Sequence, residues 1–359
     1  MKTLKFNFLS LLFLGLSLPL FATQTTSKEI HKEIEVRPDA LIEISNQFGN
    51  LNISSWDENK VVIDVTITVK GSNPNRVQEK LDEINVDFSL SPEHVIARTI
   101  IDNGWGFKWF NSSRIKYQID YDVKLPLSSS VDLSNDYGTL QLNALEGSAK
   151  ISCDYGKLVI GELLNENNIL SFDYTSNSTI DFMRGGQINA DYSGFELLVA
   201  STISLNADYT NSKFNTLEKL EFKNDYGKLA INQINQLQGK GDFLTLRLGT
   251  LFKKLNLDLE FGSIRVDQIN PSVESILIDS EYTGINLGID PDWEFKYEID
   301  LEFASLKNSL PIQHMIQQEN SNKKTYKGFL KNENTTHNLR IDSEFGIVKL
   351  QPAKSLTQP

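Results

Sequence analysis

Residues 224–231 read NDYGKLAI, and close variants stand earlier as NDYGTLQL at 135–142 and CDYGKLVI at 153–160. An acid, an aromatic and a glycine, followed by alternating aliphatics, is thus written several times in one chain. Aligned on the aromatic, the motif returns at Phe48, Tyr137, Tyr155, Tyr174, Tyr192, Tyr209, Tyr226, Phe243, Phe261, Tyr282, Phe303 and Phe345. The interval is 17 to 19 residues from Tyr137 to Phe261, then 21 and 21 again. The last interval, 42, reads as two units whose middle anchor is blurred near Tyr326. A sustained period of this size marks stacked repeats and outranks local element preferences.

Inside each unit the alternation has period two. In KISCDYGKLVI (150–160), Ile151, Cys153 and Tyr155 face one way, and Leu158 and Ile160 resume that side after Gly156. An apolar residue four places before the aromatic recurs as Ile44, Leu133, Leu170, Ile188, Leu205 and Phe222. This alternation indicates half-buried strands rather than helices. The residue after the aromatic is Gly at six of the twelve motifs and Thr or Ser at four more. A corner that needs φ > 0 or an unhindered backbone selects such residues. The sequence therefore predicts an all-β, single-chain parallel β-solenoid of 17–21 residues per coil, with the aromatics inward in a continuous ladder. Regular hexapeptides and GGxGxD repeats are absent, which sets aside the left-handed acyltransferase helix and the calcium-binding roll.

Between Phe48 and Tyr137 the period breaks. Residues 60–70 (KVVIDVTITVK) predict a strand, 75–84 a short helix with Val77, Leu81 and Ile84 on one face, and 85–90, 94–101 and 115–123 further strands. This N-terminal β-hairpin excursion would cover an end or side of the stack, where unpaired edge groups need protection. Residues 319–340 predict a hairpin or loop near the other end. The division is 1–22 leader, 23–134 N-terminal β segment, 135–351 repeats continuous with residues 30–134, and 352–359 a disordered tail.

The leader is MKTLKFNFLSLLFLGLSLPLFA: Lys2 and Lys5, then an apolar run too short to span a bilayer comfortably. It predicts a signal peptide, hence a periplasmic, outer-membrane-associated or extracellular protein with no transmembrane segment after cleavage. Cys153 is the only cysteine, so no intramolecular disulfide is available. The formal net charge of −12 becomes −14 without Lys2 and Lys5, a surface that repels nucleic acid.

The run SNQFGNLNISSWDENKVVIDVTITVKG (45–71), then LDEINVDFS and KLPLSSSVDLSNDYGTLQL, resembles the bacterial "putative adhesin" domain family common in exported Bacteroidetes proteins. Gly49, Trp56, the Leu-Pro at 125–126 and the acid–Tyr–Gly corners carry the likeness over roughly residues 30–350. The resemblance implies an exported right-handed β-solenoid-like domain with no established activity. Thr175, Ser193, Thr210, Leu244 and Ala304 depart from the Gly corner.

Two groups of residues are candidate sites. The residue before the aromatic is acidic in eleven of twelve motifs: Asp136, Asp154, Asp173, Asp191, Asp208, Asp225, Asp242, Glu260, Glu281, Glu302 and Glu344, with Gln47 the exception. Stacked in register, unit charges about 4.8 Å apart repel by about 0.9 kcal/mol in water. The column is either a cation-binding face for a basic partner or a row in which each side chain accepts from backbone N–H groups at its own corner. Charged hydrogen bonds contribute about 1.5–3 kcal/mol each and outweigh the repulsion, and a column does not converge as a calcium site requires. The structural reading is favoured. The second group is Trp105, Phe107, Trp109 and Phe110 in DNGWGFKWFNSS (102–113), which would cap the last coil or contact a protein or glycan partner.

Nothing in the chain marks an enzyme. His31, His94, His314 and His337 lack metal-ligand spacing, no nucleotide or nucleophile motif occurs, and Cys153 sits at an inward position. No catalytic residue, metal or cofactor is expected. The leading reading is an exported, non-enzymatic module, structural or adhesin-like; the alternative is a carbohydrate-active β-helix enzyme that uses a carboxylate pair.

Overall fold

The computed structural model describes residues 24–102 and 115–353 of the 359-residue chain. The predicted leader (1–22), the aromatic quartet at 105–110 and the tail beyond Ala353 lie outside the described residues.

Strands dominate, and most of them pair in parallel. In the row that precedes the corner, Leu41–Gln47, Ser130–Asp136, Ala149–Asp154 and Asn168–Asp173 succeed one another. The row continues through the second halves of Ser178–Asp191, Gly194–Asp208, Asn211–Asp225, Lys228–Asp242 and Thr245–Glu260. The first halves of those five strands extend a second row, after the corner, that starts with Leu51–Trp56, Thr139–Leu145 and Lys157–Leu163. The register is strict: Asp154 pairs with Asp136, Asp191 with Asp208 and Asp208 with Asp225. Equivalent positions therefore lie one sheet spacing apart, about 4.8 Å.

The apolar residue four before the aromatic is buried wherever it recurs, from Ile44 and Leu133 to Ile299 and Ile341. Ile151, Cys153, Leu158 and Ile160 are buried with it. Each rung covers its inward row against the next, so burial accumulates rung by rung. At about 25 cal/mol per Å² of apolar surface, this row is the main stabilising term.

At the corner itself the structure corrects the sequence reading twice. The aromatics are not inward: Tyr155 is 53% exposed where Cys153, two residues before it, is 0% exposed. The left-handed backbone also falls on the aromatic and not on the glycine, with φ between 49° and 62° at all twelve anchors. A left-handed residue breaks the strict alternation, so the aromatic turns out and the residue after it turns in. That inward position holds buried Thr175, Ser193, Thr210, Leu244 and Thr283. Glycine is favoured there for space, since a Cβ on Gly138 would lie 1.7 Å from the carbonyl oxygen of Gly49 on the adjoining rung.

The C-terminal order is a further correction. The 42-residue interval is not two successive units. Asn338–Glu344 inserts between Ser275–Glu281 and Phe295–Glu302. Ile347–Pro352 likewise lies between Gly284–Ile289 and Ser305–Asn308. Tyr326 belongs to Lys323–Leu330, which pairs antiparallel with Phe295–Glu302 on one side and Gln313–Glu319 on the other. This hairpin covers the outer edge of Phe295–Glu302, so the returning chain lies on that strand's inner side. Running over residues 313–330, it starts before the region 319–340 expected to be a hairpin or loop and covers the first part of it.

At the other end, two antiparallel sets flank the first rung. Ile84–Leu90 pairs with His94–Ile101, which lies parallel to Leu41–Gln47. Gln24–Glu35 pairs with Lys60–Gly71, and that strand with Lys116–Pro126, which lies parallel to Leu51–Trp56. The helix Pro74–Glu83 starts where Asn73 accepts from the N–H groups of Asn75 and Arg76, with Pro74 in its first turn. It buries Val77 and Leu81 against these strands.

The inward corner position and the exposed position after it give a contrast between glycines. Gly138→Ala should lower the unfolding free energy by more than about 2 kcal/mol, because a fixed backbone carbonyl occupies the Cβ site. Gly284→Ala, where nothing lies within 4 Å of the new Cβ, should be neutral or stabilising by about 0.5 kcal/mol. Urea denaturation of the two variants checks the difference.

Candidate functional site

Positive φ costs a non-glycine residue about 1–2 kcal/mol, and the twelve aromatics show what offsets it. Their rings stack in one unbroken column, with centroids 4.7 to 5.1 Å apart. Interplanar angles stay between 1° and 11°. The column follows spatial order at its end, Tyr282 to Phe345 to Phe303, and Tyr117 closes the other end edge-on against Phe48 at 5.2 Å. Each aromatic pair contributes about 0.5–1.5 kcal/mol beyond its area. Each anchor N–H also donates across the rung, as Tyr155 does to the Asp173 carbonyl at 3.0 Å. Ring faces are covered by neighbouring rings, and the edges and tyrosine hydroxyls face solvent.

The acidic column lies immediately beside it. Along the middle of the stack each Oδ1 accepts from the backbone N–H of the next acid: Asp154 from Asp173, Asp173 from Asp191, Asp191 from Asp208, Asp208 from Asp225 and Asp225 from Asp242, at 2.9 to 3.3 Å. The acceptor thus serves the neighbouring rung rather than its own corner. Such charge-assisted bonds exceed the repulsion between adjacent carboxylates. Repulsion and burial remain visible at particular positions. Burial, then Asp154, raises the Asp136 carboxyl; burial, then Asp242 and Glu281, raises Glu260. Asp342 is raised by burial and by Asp279 and Asp300, against the opposing charge of Arg340 and Lys323.

Inside the corner a second polar column links the rungs. Ser193 Oγ accepts from Thr175 N at 3.1 Å, and Thr210 Oγ1 accepts from Ser193 N at 3.1 Å while donating to the Ala190 carbonyl at 2.8 Å. Where glycine follows the aromatic, an asparagine two residues before it can fill the same space. Asn135 Nδ2 donates to the Gly49 carbonyl and Asn224 Nδ2 to the Ala207 carbonyl. Ser193, Thr210, Asn135 and Asn224 each satisfy a backbone group in this way, whereas the buried Ser343 hydroxyl and the Asn224 amide oxygen find no partner.

The remaining sequence candidates are scattered. His31 contacts Asp64, His94 contacts Glu43 and His314 contacts the Tyr297 hydroxyl. Among the described residues no three acidic, histidine or cysteine side chains are placed to hold a metal ion. Cys153 is buried, and burial pushes its thiol up to about 12, so it carries no thiolate at neutral pH. An apolar cleft of about 400 Å³ lies between the C-terminal hairpin and the strand row, lined by Leu277, Tyr297, Met315 and Phe329. The cleft's Glu298 is held below the usual carboxylate range by its hydrogen bond to Lys327, which is the reverse of a general acid. Raised carboxyls at Asp136, Glu260 and Asp342 belong to different rungs.

Sequence reasoning missed the outward ladder. Its signal was the residue type: this position is Tyr or Phe in all twelve units, whereas inward positions vary among Leu, Ile, Val and Phe. Seven of the twelve are tyrosines, whose hydroxyls would need partners inside.

No protein-family model matches the chain, and no curated protein matches it. Among solved structures it is similar to a "putative cell adhesion protein" of Clostridium sporogenes, at 12% identity over 91% of this chain and 100% of that one, with a TM-score of 0.21. A "putative adhesin" of Parabacteroides distasonis matches at 13% identity over 72% of this chain and 97% of that one, with a TM-score of 0.36. A "putative lipid binding protein" of the same organism matches at 11% identity over 72% and 96%, also at 0.36. Among the described residues no helix is long and apolar enough to cross a membrane.

Two outcomes follow for the acids. Asp191→Ala, which removes the acceptor for Asp208 N–H, should cost about 1–3 kcal/mol, and Asp191→Asn, which keeps an oxygen acceptor, clearly less. At Asp136 the folded carboxyl is raised, so the folded state holds its proton more tightly than the unfolded chain does. Its contribution is favourable below the unfolded value and is lost as pH rises through the folded one. Asp136→Asn should therefore raise the melting temperature at pH 7 and show no advantage near pH 3, measured against the parent at each pH.

Proposed function

We propose that the chain is an exported, non-enzymatic β-solenoid module of adhesin-like type, a rigid rod that holds a contact surface away from its attachment. The observation that carries this reading is the uninterrupted column of eleven ring stacks, which locks every corner to the next in one register. Eleven intervals at the sheet spacing make a rod about 50 Å long. An enzyme built on such a rod would gather perturbed acids into one cleft; here the raised carboxyls are spread along it. Export to the periplasm, outer membrane or cell surface is supported by the leader; with Cys153 the only cysteine, stacking and burial stabilise the protein.

The contact is assigned to Trp105, Phe107, Trp109 and Phe110. Residues flanking that segment end His94–Ile101 and begin Lys116–Pro126, two strands of the N-terminal end of the stack. A protein or glycan partner would be met there, with the acids serving the backbone. A Trp105→Ala/Trp109→Ala double variant should keep its melting temperature and lose binding on an array of glycans and surface proteins. A variant that melts lower but binds as before would identify the segment as a cap. Melting temperature should not move on adding millimolar calcium; a rise would assign the acids to a cation-bridged face.

A further inference from the structure

We propose that the outward aromatic column is itself a ligand site, and that around Tyr174, Tyr192 and Tyr209 it takes an elongated, planar aromatic cation lying along the stack axis. This goes beyond the end contact proposed above and does not depend on it. Tyr174 and Tyr192 stack at 5.1 Å and 4°, and Tyr192 and Tyr209 at 4.8 Å and 2°. Their faces are thus spent on one another, yet each ring remains about half exposed. A sugar stacks on ring faces, so this surface does not suit it. Ring edges carry the positive part of the aromatic quadrupole, and their complement is the π-face of another aromatic in edge-to-face contact. A flat ligand set parallel to the axis would receive three such edges over three rungs, about 14 Å at the sheet spacing with the ring widths included.

Charge sets the sign of the ligand, and charge and space both suit this segment. Asp173, Asp191 and Asp208 stand one residue before the three rings, and their Oδ1 bonds to the next rung's backbone leave each carboxylate its charge. The other flank, two residues after each ring, is Ser176, Gly194 and Asn211, whereas Lys157 and Lys228 hold that flank on the rungs beyond Tyr155 and Tyr226. Between those lysines the column is bordered by acids on one side and by small neutral residues on the other; Thr245, Ser263 and Gly284 give the rungs of Phe243, Phe261 and Tyr282 the same flank, but two of those three rings are phenylalanines. At Gly194 a Cβ would meet nothing nearer than the Asn211 carbonyl oxygen at 4.0 Å, so the flank beside Tyr192 is open.

Thioflavin T, a rod-like planar cation, is the probe. Titrated into the full chain, it should bind saturably with a rise in fluorescence, and more weakly as salt increases. Tyr192→Asn keeps a side chain that tolerates positive φ and should weaken binding at least about tenfold. Asp191→Asn/Asp208→Asn keeps the backbone acceptors and should weaken binding and flatten its salt dependence. Circular dichroism accompanies each variant; if Tyr192→Asn unfolds, the aspartate pair decides alone. Absence of saturable binding, unchanged affinity in the folded variants, or equal binding of the planar anion Congo red would overturn the proposal.

Discussion

Every rung must place its corner one sheet spacing from the last, and the left-handed aromatic is the residue that makes this possible. A single residue at φ near +50° bends the chain out of one strand row and into the next. Left alone that conformation is unfavourable by an amount close to what one stacked aromatic pair returns. The stack therefore exists only as a collective: each ring needs a neighbour in the same left-handed state, and the strand pairing on both sides supplies it. Twelve repetitions at almost constant spacing are the consequence.

From this bend follows the composition of the whole corner. The residue after the aromatic is forced inward against the neighbouring backbone; glycine or a small hydroxyl stands there at ten of the twelve corners, and Leu244 and Ala304 at the others. Glycine at that place leaves room for an asparagine two residues before the ring, as at Asn135 and Asn224; a serine or threonine fills the room itself. Either way, a buried polar atom bridges successive rungs. The acid before the ring does the same from outside, taking the N–H of the acid on the next rung. Carboxylates that would repel one another are tolerated because each is bound to a backbone group.

The ends obey a different rule. A stack of parallel rungs exposes unpaired edges, and both ends finish in antiparallel strands: Gln24–Glu35 and Ile84–Leu90 at one, Gln313–Glu319 at the other. Sequence numbering does not follow spatial order there. The last strands enter between two earlier ones, so the final ring of the chain is the penultimate ring of the column. Between those ends a long stripe of ring edges bordered by acid faces solvent.

The sequence alone determined the strands, the unit length, the buried row from Ile44 to Ile341 and the corner at each acid–aromatic pair. Those features are local, since a period of two and a repeat of 17 to 21 residues are written in residue order. It also foretold the helix at 75–84 to within a residue, because Val77, Leu81 and Ile84 recur at helical spacing. Tertiary structure decided which way the aromatics face, because one left-handed residue reverses the alternation that a strand pattern assumes. It decided the order of the last rungs as well, because pairing depends on which edge is still free, and the hairpin ending at Leu330 had already taken the outer one.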